Sequence, residues 1–443
     1  PAVVERPNTP AMMKTTFAVS CPVLCALVLA ACQRADDAGS RAPGAAADAA
    51  SARAAPKQLR DTDVEPFQRE LLELAFDAAC RFPEGGHDKN RSRAQEQVVI
   101  ACFELDQPLL ALSFAPRVTG WRRGVAYADY AWYSASHGVT ANVARYLELA
   151  QDVLAQEAKD PNAQAWRGHT LRVKVARAWR ALGDEARADA VLRDVTEGSA
   201  DAIDERWANT VADKVATLTP DTVLGELQKI ALAMPETPVG EQFTGLVIMA
   251  RAHGHFFDDA ALRPKLEERL RDASAGLPPD VQLRALRMLA ETHLEHGDDA
   301  GAPRVVGDIA DFVGRLQWRP EELIPTLAWI AELRVRAGDR ERARSELVAL
   351  LERYMEARDE ITDIYRAETL RPLALVWHEL GDAEQVEGLL ALVLEEGMEN
   401  PNSRPRCNDL VETCVDLAKH AIEPSPALWQ RLRQIRDGLS DPW

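Results

Sequence analysis

Four of the nine histidines fall in two similar stretches, His253 and His255 in "RAHGHFFDD" and His293 and His296 in "ETHLEHGDD". Each stretch closes on paired aspartates, Asp258 with Asp259 and Asp298 with Asp299. Imidazole and carboxylate are the ligand types of zinc-class metals. Equivalent positions of neighbouring repeats also come together when repeats stack. The aspartates, however, are accounted for as helix caps, and His255 and His296 fall at exposed turn positions, so no metal is expected. The "HEL" of residues 378–380 lacks the second histidine of a zinc-protease helix, and the sequence holds no nucleophile elbow, phosphate-binding loop or dinucleotide fingerprint. Glu321 with Glu322 and Glu395 with Glu396 have the residue types of a glycosidase acid pair. They lie in charged helical stretches and are read as solvated faces. The expectation is a protein that is not an enzyme and carries no cofactor.

The elements that would position these residues repeat along the chain. "VKVARAWRALGDEARADAVL" (174–193), "LRMLAETHLEHGDDAGAPRVV" (286–306), "LAWIAELRVRAGDRERARSEL" (327–347) and "LRPLALVWHELGDAEQVEGLL" (370–390) share one plan. An amphipathic helix runs to a Gly-Asp pair and a second helix follows. Glycine ends the first helix in the left-handed conformation, and aspartate accepts from the open amides of the next. Gly138 supplies an earlier turn, while Thr219-Pro220-Asp221 and Phe257 mark two degraded ones. Turn centres at 138, 183, 220, 257, 297, 338 and 381 are spaced by 45, 37, 37, 40, 41 and 43 residues. A period near 40 predicts stacked helical hairpins. Ala131, Ala176, Ala290, Ala331 and Ala374 stand seven before a turn glycine, and Ala188, Ala302 and Ala343 five after one. Small residues there let the two helices of a hairpin approach closely.

This pattern, over roughly residues 92 to 400, resembles tetratricopeptide-type repeats. The resemblance implies an all-α fold, a superhelical stack (α-solenoid) of about seven or eight antiparallel hairpins of about 40 residues each. It also implies a concave binding face lined by side chains three and six before each turn glycine. Carried over, that rule selects Arg177, Arg180, Glu291, Glu332 and His378, with Arg284, Arg287 and Arg371 farther back on the same face. Several arginines in a groove favour an acidic peptide or a C-terminal carboxylate, because guanidinium pairs with carboxylate in a two-pronged geometry. The opposing reading is that they pair with Glu291, Glu332 and Glu368 and hold the stack together.

The N-terminal segment sets location. "MKTTFAVSCPVLCALVLAAC", from Met13 to Cys32, has one positive charge and then an apolar run too short to span a bilayer. Leu29-Ala30-Ala31-Cys32 resembles the bacterial lipoprotein signal, which implies cleavage before Cys32 and lipidation of it. Gln33 follows the cysteine, so the resemblance points to the periplasmic face of the outer membrane. Residues 1–31 are then an upstream extension plus signal peptide, and 32–57 an alanine-rich disordered tether with a reach of roughly 25 to 30 Å. Residues 58–443 form the helical-repeat domain.

Cys80, Cys102, Cys407 and Cys414 make an even count, and an oxidising compartment would allow Cys80–Cys102 and Cys407–Cys414 bonds. The second needs Cys407 to lie before the helix that carries Cys414. With 52 basic against 70 acidic residues the net charge is −18, which excludes a general nucleic-acid binder. The expected partner is a protein or peptide. The rival functions are an immunity lipoprotein that neutralises a periplasmic toxin and a helical-toroid enzyme processing envelope polysaccharide.

Overall fold

The computed structural model describes residues 58–160, 163–193, 195, 211, 214–237 and 239–443. Helices make up 74% of it and there is no strand among the described residues, which establishes the all-α class. In chain order the helices are α1 (Pro66–Ala79), α2 (Asp88–Glu104), α3 (Pro108–Phe114), α4 (Arg122–Ser136), α5 (Val143–Glu157) and α6 (Ala165–Ala181). Next come α7 (Glu185–Leu192), α8 (Val223–Ala233), α9 (Val239–His255), α10 (Arg263–Ser274), α11 (Pro279–Glu295) and α12 (Gly301–Gly314). The last are α13 (Pro320–Arg336), α14 (Arg340–Ala357), α15 (Asp363–Glu379), α16 (Ala383–Glu396), α17 (Ser403–Lys419) and α18 (Pro426–Asp437).

The turns follow local chemistry. Gly138, Gly183, Gly297, Gly338 and Gly381 all have positive φ, between 64° and 86°. Asp184 and Asp382 then accept from the amides of Arg187 and Gln385, at 3.0 and 3.3 Å. Asp298 accepts from Gly301 at 2.9 Å and Asp259 from Leu262 at 3.0 Å. Asp339 departs from the expectation, since its side chain makes no cap bond. The Phe257 turn closes without a left-handed residue, through amide bonds from Phe257 to Gly254 and from Asp259 to Phe256. Asp106 and Ala421 each take φ of 52° at turns the sequence reading did not mark.

Helix pairs close over small residues. Ala131, Ala176, Ala290, Ala331, Ala374, Ala188, Ala302 and Ala343 are all buried. Gly124 marks a close crossing, because a Cβ there would stand 2.7 Å from Leu171 Cδ2 and 3.1 Å from Val153. Each buried Leu, Ile or Val in these interfaces contributes about 1.5–3 kcal/mol.

The core falls into two clusters. One is built from residues between 71 and 195 together with residues between 324 and 439, the other from residues between 211 and 333. Helix α13 serves both, with Ile324, Ala328, Ala331 and Val335 in the first and Ile330 and Leu333 in the second. The first cluster joins the two ends of the helical array. Gln68 Nε2 donates to Ala418 O at 2.7 Å, Cys407 Sγ lies 3.3 Å from Ala78 O, and Lys419 pairs with Glu104 at 2.8 Å. Arg433 meets Glu70 at 2.5 Å, and Phe82 packs against Trp443. Helix α1 is therefore seated on α17 and α18.

Candidate functional site

Three arginines expected on the partner-facing side share one arrangement. Arg177 on α6 lies over Trp132 of α4, 3.4 Å from the ring centre. Arg284 on α11 lies over Phe243 of α9 at 5.4 Å, and Arg287, also on α11, over Trp329 of α13 at 5.0 Å. In each case a guanidinium rests on an aromatic ring 41 to 45 residues away, on a different helix. Such stacking contributes about 0.5–1 kcal/mol at exposed sites and fixes the guanidinium plane. Arg284 is exposed; Arg177 and Arg287 are half-buried.

The other expected groove residues are distributed differently. Arg287 also donates to Glu291 at 2.9 Å, and Glu332 meets Arg336 at 3.7 Å. Arg180 is held by Glu185 at 3.3 Å and Asp189 at 3.6 Å, so it braces the α6–α7 hairpin. His378 is half-buried near the end of α15. Arg371 does not line a groove: it is 7% exposed, wedged between α15 and α17, and pairs with Asp416 at 2.7 Å and with Glu412. A guanidinium that far from water persists only with carboxylates on both sides. The carry-over failed there because it counts residues from a turn and cannot see which neighbour closes over them.

Carboxylates on α11, α13 and α15 are held protonated beyond their usual range. Burial, followed by the nearby Glu332 charge, pushes Glu379 up to about 7. Burial also raises Glu332, and burial with the Glu291 charge raises Glu295. The acidic pairs picked from sequence form no dyad. Glu322 and Glu395 are exposed, whereas Glu396 is 2% exposed and bonded to Arg358 at 2.6 Å, so it is not on a solvated face. Adjacent helical residues point about 100° apart, which separates each pair.

The histidines divide into two sets. His255 and His296 are exposed, as expected. His253 on α9 and His293 on α11 are 0% and 2% exposed and face each other with ring centres 5.4 Å apart. Glu267 of α10 completes the group: one donor atom from each of the three lies within 4.8 Å of the other two. His293 Nδ1 is 2.9 Å from Asp298 Oδ2, and its Nε2 is 3.3 Å from Glu267 Oε2. Arg304 reaches Glu267 at 2.7 Å and Arg271 at 3.0 Å. Neither ring nitrogen of His253 has a hydrogen-bond partner. Burial and the neighbouring His293 hold His253 down to about 4, so it is a neutral base. Glu267 carried no sequence signal, being one of four charged residues in "KLEER".

The four cysteines among the described residues, Cys80, Cys102, Cys407 and Cys414, are free thiols. Cys407 and Cys414 lie on the same helix, α17, two turns and about 10.5 Å apart along its axis. That excludes the bond expected between them, because Cys407 sits inside the helix rather than ahead of it. No Cys80–Cys102 bond is formed either: Cys102 is buried within α2, and Cys80 accepts from Gln95 at 3.3 Å. Leu29, Ala30, Ala31, Cys32 and the tether lie outside the described residues. No helix among the described residues is long and apolar enough to cross a membrane.

No family model matches the chain, and neither a curated protein nor a solved structure is similar to it.

Proposed function

We propose that the chain is a lipid-anchored protein of the bacterial envelope whose helical domain holds a protein partner by an acidic segment or a C-terminal carboxylate. The observation that carries this reading is the recurrence of the arginine–aromatic stack at Arg177, Arg284 and Arg287. A guanidinium already fixed by a ring loses less freedom on binding, and its edge offers two parallel donors to a carboxylate. The domain is read as a stack of tetratricopeptide-like hairpins. Ion pairs between residues a unit apart support this: Arg304 with Glu267 (37 residues), Arg344 with Asp382 (38), Arg358 with Glu396 (38) and Lys174 with Asp129 (45). Lys174 and Asp129 each stand nine before a turn glycine, the other three pairs join the second halves of successive hairpins, and the long surface of such a stack suits a protein segment better than a small molecule.

The test is affinity capture of the anchored protein from its native envelope after light cross-linking, beside a form carrying Arg177→Glu, Arg284→Glu and Arg287→Glu. One or a few partners should be captured by the parent and lost by the charge-reversed form, since each reversed contact costs about 2 kcal/mol or more, over 20-fold in affinity. A Cys32→Ser form should leave the membrane fraction. An unchanged set of captured proteins overturns the assignment of the face; unchanged fractionation overturns the anchor.

A further inference from the structure

The buried group at His253, Glu267 and His293 has a polar arrangement that protein atoms alone leave unresolved. His293 has one carboxylate at each nitrogen, Asp298 at Nδ1 and Glu267 at Nε2. When the ring proton is on Nδ1 and given to Asp298, the Nε2 lone pair faces Glu267 Oε2 3.3 Å away, an arrangement met either by a second ring proton or by a cation between the two atoms. On the other side of the gap His253 is fully buried and has both nitrogens unpartnered. A buried polar atom without a partner costs about 1–3 kcal/mol. A single divalent cation among the three side chains would take one nitrogen of His253, one of His293 and one Glu267 oxygen, the donor atoms that lie within 4.8 Å of one another.

We propose that His253, His293 and Glu267 bind one zinc-class divalent metal ion. Two imidazoles and one carboxylate are a ligand set zinc uses, with a fourth position left to water or a bound group. Bonds of about 2.0–2.1 Å in a tetrahedron set donors about 3.3 Å apart. The present separations, up to 4.8 Å, contract to that by small side-chain rotations. The Asp298 carboxylate at His293 Nδ1 is the outer partner that orients a metal-binding histidine and fixes its tautomer. Gly301 makes room for it, since a Cβ there would lie 2.2 Å from His293 Nδ1. Arg304 and Arg271 both occupy Glu267 in the structure, with side chains 49% and 28% exposed; each also reaches Asp308, which can retain them when an ion takes the carboxylate.

The experiment uses the full chain stripped by a chelator and titrated with Co²⁺ as a coloured probe, then with Zn²⁺. One equivalent of Co²⁺ should give the intense visible bands of a four-coordinate site, and Zn²⁺ should displace it. His253→Leu, which keeps the pocket filled, should abolish binding, and Asp298→Asn should weaken it about 10- to 100-fold. X-ray absorption on the zinc-loaded parent protein needs no variant to fold and should count two imidazoles. Absence of stoichiometric binding by the parent, one imidazole or none at the zinc, or undiminished binding by folded His253→Leu each overturns the proposal.

Discussion

Arginine does two jobs on the same helices, and the carboxylates around each side chain decide which. Arg371, between Asp416 and Glu412, is internal structure, whereas Arg284 is stacked on Phe243 and exposed. Glu379 shows the reverse situation, a carboxylate with too little positive charge nearby: Glu332 stands against it, and Arg336 and Arg340 only partly offset burial. Its folded pKa of about 7 lies above the 4.5 usual for glutamate. The unfolded state therefore ionises first, and this group's contribution to stability falls as pH rises from about 4.5 to about 7. Glu379→Gln should flatten that part of the stability curve and leave the protein more stable than the parent at pH 8, read by urea denaturation across pH. An unaltered curve would show that Glu379 titrates normally. At this scale the sequence was legible where a repeat made residues comparable. His253 and His293 stood out because "AHGHFFDD" and "THLEHGDD" align, but Glu267 lies on the intervening α10 and enters only through helix packing.

At the level of the helix and its turn, the Gly-Asp signal held for all four glycines and for Asp184, Asp298 and Asp382 but not Asp339, because it is local: one residue must take positive φ and the next can meet open amides. Turns that use another residue escaped. Ala421 does glycine's work after α17, with φ of 52°. A side chain in the left-handed region carries strain of about 1–2 kcal/mol, offset in part by the greater freedom glycine brings to the unfolded chain. Ala421→Gly should therefore raise stability by about 0.5–1 kcal/mol, measured by chemical denaturation. A loss of stability would mean that the methyl packs usefully. Asp106 makes the same kind of turn, and its Oδ1 accepts from the Tyr133 hydroxyl at 2.7 Å, an added tie that no local pattern announces.

Across the whole chain, the periodicity implied hairpins in sequence order but said nothing of what their two ends would meet. The contact of α1 with α17 and α18 joins segments that share no motif, and its parts are individually ordinary: a glutamine to a carbonyl, two exposed ion pairs, and Phe82 on Trp443. In an open stack each terminal hairpin needs its own polar cover; here one end covers the other. Deleting residues 424–443 removes α18 and Trp443, so amide exchange should quicken in α1, at the opposite end of the sequence, more than in α5. Unchanged exchange across residues 66–79 would show that α17 alone suffices.

The same closure sets a clock. Gln68 finds its carbonyl 350 residues downstream, so although Phe76 can stack early on Phe114, the side of α1 that meets α17 lacks its native neighbour until the end of the chain has been made. At about 5–20 residues per second that interval lasts roughly 20 to 70 s. Through it that side of the leading helix is an unfinished surface, covered only once residues 403–437 have been made.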